Sequence, residues 1–446
     1  MGDSLTRRLR TPGAVITGLG SILGTGVFVS IGIGAGIAGS AVVLAIALAA
    51  CVAVFNGLSS AQLAAAHPVA GGTYVYAHRF FGPQSGPMGS HAIGNTLGFT
   101  AGWTFLIAKS LSAATAALGC AGYILHATGF GGAGRDGIVG LALIVVVALT
   151  GLVLSGLRRT TLINGSILFV TLVSLGVFVA FGLPRGSGEK TSIDLMPADG
   201  PTALLHATAL MFVAYTGYGR IATMGEEVIE PRRTIPRAII ATLAVSALLY
   251  ITVAFVSVRA VGAEQLALMT SRDAAPLELV ARMFEVPGLG LLLAIGAVSA
   301  MLGVLLNLLL GLSRVLLATA REGDSPRALA RLTAGNEPAL AVAFMGLVIG
   351  GLVLLGDVRT TWTFSAFTVL VYYAITNAAA LRLPREQRLY PRWLAWAGLV
   401  SCLGLAFFVP VRVWAIGLGI IGVGLVWRSA YRSLVGVWKR RKCDVS

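Results

Sequence analysis

Two glycine-rich stretches carry the residues best suited to hold a small zwitterion. One is Gly18-Leu19-Gly20-Ser21-Ile22-Leu23-Gly24-Thr25-Gly26; the other is Thr216-Gly217-Tyr218-Gly219. Glycine is a poor helix former, so each cluster invites local unwinding within an otherwise apolar helix. Unwinding frees backbone N–H and C=O groups. N–H groups at the start of a half-helix can hold a carboxylate, and free carbonyls can hold an ammonium or a cation. An amino acid has both groups. For one cluster alone, close packing through small residues is the plainer reading, because the chain has 57 glycines.

Lys109 is the sharpest single residue. It lies deep in the apolar run Trp103-Thr104-Phe105-Leu106-Ile107-Ala108-Lys109-Ser110. A lysine at that depth is a functional-site candidate, since a buried amine could take up and release a proton. The alternatives are snorkelling to an interface or a structural hydrogen bond to carbonyls. Arg220, just past the second cluster, is another candidate, or it pairs with Glu226 or Glu227. Those two acids fall near a loop, where they are expected to anchor Arg232, Arg233 or Arg237. No Asp or Glu lies in the core of any apolar run. The five histidines do not cluster, and only His206 falls within a span. Cys51, Cys120, Cys402 and Cys443 lack metal-ligand spacing. No metal or cofactor site is therefore expected. A membrane enzyme would need a convergent acid, base or metal set, and a channel would need polar or charged rings; neither pattern is present.

The elements that must position these residues are helices in lipid. Of 446 residues, 56% are hydrophobic and 11% charged, against about 25% charged in a soluble domain. Runs of about 20 apolar residues cross a bilayer as helices, which satisfy their own backbone hydrogen bonds. Solidly apolar segments such as Ile138–Val153 do not fit the alternating strands of a barrel. Twelve spans are expected: Ala14–Ile37, Ala41–Ala64, Ile93–Ile124, Gly137–Leu154, Leu162–Leu183, Thr202–Val228, Ala238–Val258, Leu289–Leu317, Leu340–Leu355, Trp362–Leu381, Leu394–Val409 and Val413–Trp427.

Net charge is +15. In a soluble chain that would suggest nucleic acid. Here the basic residues gather in alternate loops, from Arg7, Arg8 and Arg10 through Arg158 and Arg159 to Arg428, Arg432 and Lys439–Lys442. The positive-inside rule then puts both termini in the cytoplasm. The basic start could mimic a signal peptide, but its apolar stretch holds the first glycine cluster and is expected to stay as span 1.

The two clusters fall in spans 1 and 6, which open successive groups of five spans. Interrupted helices at matched positions point to a carrier built from inverted repeats. The expected division is a cytoplasmic tail over 1–13, a first repeat over 14–183, a second over 202–383, spans 11 and 12 over 392–428, and a basic tail over 429–446.

Four stretches resemble the amino acid–polyamine–organocation permeases: Gly20–Phe28 (GSILGTGVF), Pro68–Tyr76 (PVAGGTYVY), Glu226–Ile239 (EEVIEPRRTIPRAI) and Ala318–Pro326 (ATAREGDSP). They cover both repeats in the family's order. The resemblance implies an all-α, LeuT-type fold with spans 1 and 6 broken, two peripheral helices, and alternating access driven by protons or exchange. It places Ser21, Ile22, Leu23, Gly24, Thr25 and Gly26 around a substrate carboxylate. It places Phe212, Tyr215, Thr216, Gly217 and Gly219 near the amino group and side chain; Phe212 and Tyr215 suit bundle packing equally well. Cationic members carry an acid where this chain has Gly219. Others carry a lysine in span 5, where the aligned residue is Thr171, and Ser299 is the one core hydroxyl in span 8 to support a sodium site. The expected function is secondary transport of amino acids across the cell membrane; the acid-free core points to neutral ones, and Lys109 is the candidate for proton coupling. Export, exchange, or carriage of cationic amino acids or polyamines are the alternatives, and oligomeric state is left open.

Overall fold

The computed structural model describes residues 9–68, 71–82, 91–155, 161–185, 194–223, 225–333 and 337–443. Arg7, Arg8, Val69, Ala70, Arg158, Arg159 and Lys190 lie outside the described residues, as do the side chains of Glu226 and Lys439–Cys443.

Eighteen α-helices and short 3₁₀ turns account for nearly all of the described chain, with no strand among the described residues. Eight helical stretches are long and apolar enough to cross a bilayer. Two shorter apolar helices and the two broken ones bring the architecture to about twelve spans.

The first span is α1 (Thr11–Ile22), α2 (Thr25–Phe28) and α3 (Ser30–Ala38). The second is α4 (Val42–Ala66), followed by a short helix, α5 (Thr73–Phe81). Then come α6 (His91–Ala127), α7 (Gly134–Leu154) and α8 (Thr161–Arg185). The sixth span is α9 (Gly200–Tyr215), a 3₁₀ turn over Thr216–Tyr218, and α10 (Gly219–Thr223). It is followed by α11 (Pro231–Val261), α12 (Ala263–Asp273), α13 (Pro276–Arg282) and α14 (Leu289–Arg321). The chain closes with α15 (Ala339–Leu355), α16 (Val358–Leu381), α17 (Arg392–Phe408) and α18 (Val411–Cys443).

Three features depart from the sequence expectation. Helices α5, α12 and α13 lie in stretches read as loops, because their charged and polar residues hide them from an apolar-run search. The last helix runs on past Trp427 to Cys443, since its basic extension is too polar to count as a span but forms helix well. The side chain of Glu227 pairs with Arg314 at 3.8 Å, while Arg233 pairs with Glu230 at 3.7 Å. The post-α10 segment is held largely by backbone: Leu9 N–H donates to Glu227 O and Ile229 N–H to Leu9 O, each at 2.9 Å.

Small residues bring the helices close. Gly119 of α6 would push a Cβ within 2.9 Å of the Met301 sulfur on α14. A Cβ on Gly57 of α4 would come 2.8 Å from Leu243 on α11. Helix α6 runs through the middle of the bundle, packed on α14 and α16.

The two ends of the bundle are held by buried acids. Asp324, in the loop after α14, is fully buried. It accepts from Arg428 Nε at 2.7 Å, Arg432 Nη2 at 2.9 Å and Tyr74 OH at 3.0 Å. Two of the four motif stretches, at Tyr74 and Asp324, therefore meet on one carboxylate, which also anchors α18. At the opposite end Glu278 is fully buried between Arg282 and His126, whose Nδ1 lies 2.7 Å away. Breaking a buried ion pair from one side costs about 3–5 kcal/mol. We expect Asp324→Asn to lower the unfolding free energy in detergent by that order, with helical circular dichroism unchanged at low temperature. A variant as stable as the parent would show that the Arg428 contact contributes nothing.

Candidate substrate site

The helix 1 break falls at Leu23 and Gly24. Leu23 N–H closes α1 by donating to Leu19 O at 2.8 Å. The next helical bond is donated by Val27 to Gly24 O at 3.1 Å. The amides of Gly24, Thr25 and Gly26 lie ahead of it, as the first N–H groups of any helix do. The Thr25 hydroxyl is buried there with no partner.

The helix 6 break is the 3₁₀ turn Thr216–Tyr218. The two breaks meet. A Cβ on Gly217 would collide with the Ser21 carbonyl. A Cβ on Gly26 would approach Ala214 Cβ at 2.8 Å, and one on Gly18 would reach Ile221 at 2.5 Å. So α1 lies against the second half of helix 6, and α2 lies against the first half. That is the arrangement of two broken helices crossing in opposite directions.

Side chains from neighbouring helices take up part of the backbone that the breaks expose. Tyr250 of α11 donates from its hydroxyl to Ile22 O at 2.8 Å, with Ala214 O at 3.3 Å, bridging both breaks. Asn307 of α14 reaches Gly20 O and Ser21 Oγ, each at 3.5 Å. Tyr373 of α16 donates to Thr216 O at 3.2 Å. Lys109 is 7% exposed and sits midway along α6. Its Nζ donates to Thr216 Oγ1 at 2.8 Å and lies 3.5 Å from Thr216 O. The Thr216 hydroxyl spends its own hydrogen on Val213 O at 2.8 Å, so it can only accept from the amine.

Over 421 positions, from 13 to 433, the chain matches the amino acid permease family model. The chain belongs to the amino acid permease family. An uncharacterized transporter of Mycobacterium tuberculosis is 38% identical over 95% of this permease and 91% of its own length. A branched-chain amino acid permease of Bacillus subtilis is 26% identical over the same shares. The human cationic amino acid transporter 4 is 26% identical, over 87% of this permease and 61% of the transporter.

Of the residues singled out by sequence, Ser21, Ile22, Gly24, Thr25, Gly26, Thr216, Gly217 and Lys109 gather at the crossing of this permease. Gly219 is next to it, 3.1 Å by Cβ from the Tyr373 hydroxyl. Leu23 is buried beside the break. Phe212 is fully buried with its ring edge-on to Tyr373 at 5.5 Å. Tyr215 turns to α4, where its hydroxyl meets Ile46 O at 3.3 Å. Thr171 on α8 bonds back to Ile167 O at 2.9 Å, and Ser299 on α14 is half-buried. Arg220 is half-buried one turn further along, with Gly311 of α14 beside it. Sequence reading missed Tyr250, Asn307 and Tyr373. A lone amide in the run Leu305-Leu306-Asn307-Leu308-Leu309 was a usable signal; tyrosines scattered through apolar spans were not.

Overpacking a close contact costs about 1–3 kcal/mol, which as a loss of affinity is about five- to 150-fold. We expect Gly217→Ala to lose that much in binding of a transported amino acid, because its methyl meets backbone that cannot swing aside. Gly20→Ala, which meets nothing within 4 Å, is expected to bind normally. Equal effects of the two, read by equilibrium binding, would show that closeness of the breaks does not matter.

Proposed function

We propose that this permease moves neutral amino acids across the cytoplasmic membrane by alternating access, with a proton as the coupling ion. The observation that carries the reading is the meeting of two half-helix breaks at which amides, carbonyls and one ammonium converge. The substrate carboxylate takes the amides of Gly24–Gly26, the first N–H groups of α2, and the unpartnered Thr25 hydroxyl. Its ammonium takes carbonyl oxygens at the breaks.

The absence of a carboxylate at the crossing, among the described residues, supports a neutral cargo. A dibasic amino acid would bring a second positive charge beside Lys109, with nothing to offset it. The name of the human relative, a cationic amino acid transporter, therefore does not carry over to this site. The branched-chain relative fits it better. Helices 1–5 and 6–10 act as two repeats rocking about the crossing, over 14–183 and 202–383. Both termini face the cytoplasm, on the side where the basic loops collect.

Proton coupling runs through Lys109. The amine donates to a residue of the helix 6 break, so a change in its charge alters the hydrogen bonding of the element that must move. Uptake of a labelled amino acid panel into proteoliposomes, with and without proton and sodium gradients, tests the function. Neutral amino acids are expected to accumulate when the outside is acidified. Lys109→Met keeps the side-chain bulk and removes the titrating group. It is expected to equilibrate substrate without concentrating it. Normal gradient-driven accumulation by that variant would remove Lys109 from the coupling step.

A further inference from the structure

We propose that the same site accepts amino acids whose side chain carries a carboxylate, and that Lys109 is the residue that selects them. The inference rests on the amino acid reading above and names a second substrate class for it.

Lys109 is buried midway along a membrane-crossing helix. An ammonium there requires a counter-charge or several acceptors. Its acceptors are a hydroxyl at 2.8 Å and a carbonyl at 3.5 Å, both from Thr216. The carbonyl is shared with the Tyr373 hydroxyl. An ammonium has three N–H donors, and among the described residues no carboxylate pairs with this one. The buried acids that the fold does hold, Asp324 and Glu278, sit elsewhere and are each taken up by arginines.

Direction matters as much as charge. Successive residues of the helix 6 break point to different neighbours: Gly217 faces Ser21 of α1, and Thr216 faces Lys109 of α6. An amino acid lodged by its α-carboxylate at Gly24–Gly26 would therefore have the ammonium of Lys109 on another side of the break. A side chain ending in a carboxylate can supply there the counter-charge that the protein lacks. A neutral side chain of the same length leaves the ammonium as it was. A basic one is repelled. The resulting order is acidic over its neutral isostere, with basic last.

Full-length protein in detergent can be titrated with L-glutamate, L-glutamine and L-lysine, with binding read by calorimetry at constant pH. Glutamate is expected to bind about ten-fold or more tightly than glutamine, the size of one charge-assisted hydrogen bond. In Lys109→Met that ratio is expected to collapse to one or below. In Lys109→Arg it is expected to be retained. A purely structural role for Lys109 would lower both affinities in Lys109→Met and leave their ratio unchanged, which overturns the proposal. Binding of glutamine or leucine without glutamate would also overturn it, while leaving the neutral amino acid reading intact. If none of these amino acids bound, that broader reading would fail as well.

Discussion

Lipid offers no hydrogen bonds, so every backbone polar group in the membrane must find a partner within the protein. Among the described residues the spans meet that constraint with helix, interrupted at Leu23–Gly24 and Thr216–Tyr218 and, more briefly, at Val29. The first two places lie against each other. What each break exposes is satisfied partly by the other side of the crossing and partly by Tyr250, Asn307, Tyr373 and Lys109, each from a different surrounding helix. What is left over is the first amides of α2 and the Thr25 hydroxyl, the groups that the proposed reading gives to a substrate.

The same arrangement explains how a local event could spread. Tyr250 holds a carbonyl from each break, so separating the breaks means giving up one of its acceptors. Tyr373 links the helix 6 turn to α16, and one turn further along α16 Asn377 donates to Asn56 of α4 at 2.6 Å. At the far ends, Asp324 and Glu278 clamp loop helices with buried charge rather than apolar contact. Charged contacts at the ends and small-residue contacts at the centre are a division of labour suited to the alternating access proposed above. Close packing of glycine on backbone tolerates sliding. A buried carboxylate between arginines does not.

Much of this was legible in the sequence, for physical reasons. The spans showed because lipid demands long apolar runs, and ten of the twelve were continuous. The breaks showed because glycine weakens helix in a run that otherwise has no reason to stop. Lys109 showed because a charge in an apolar run is rare. What stayed hidden was pairing. Glu227 was expected to hold arginines close in sequence, yet its partner Arg314 comes from α14. Arg428 read as one of many tail cations, and only the fold brings Asp324 and Phe99 to it. Helices α12 and α13 were invisible because short helices carrying charged residues form no apolar run. Tyr250 and Tyr373 look like any other aromatic until their hydroxyls are placed.

The central claim is that the crossing of the two breaks is where an amino acid binds. Hydrogen–deuterium exchange of the full-length protein, with and without a saturating mixture of neutral amino acids, addresses it directly. The account predicts slowed exchange in peptides covering Gly20–Phe28 and Val213–Ile221, with α15 and α17 unchanged. Protection confined to other helices, or none at the two breaks despite measured binding, would contradict it.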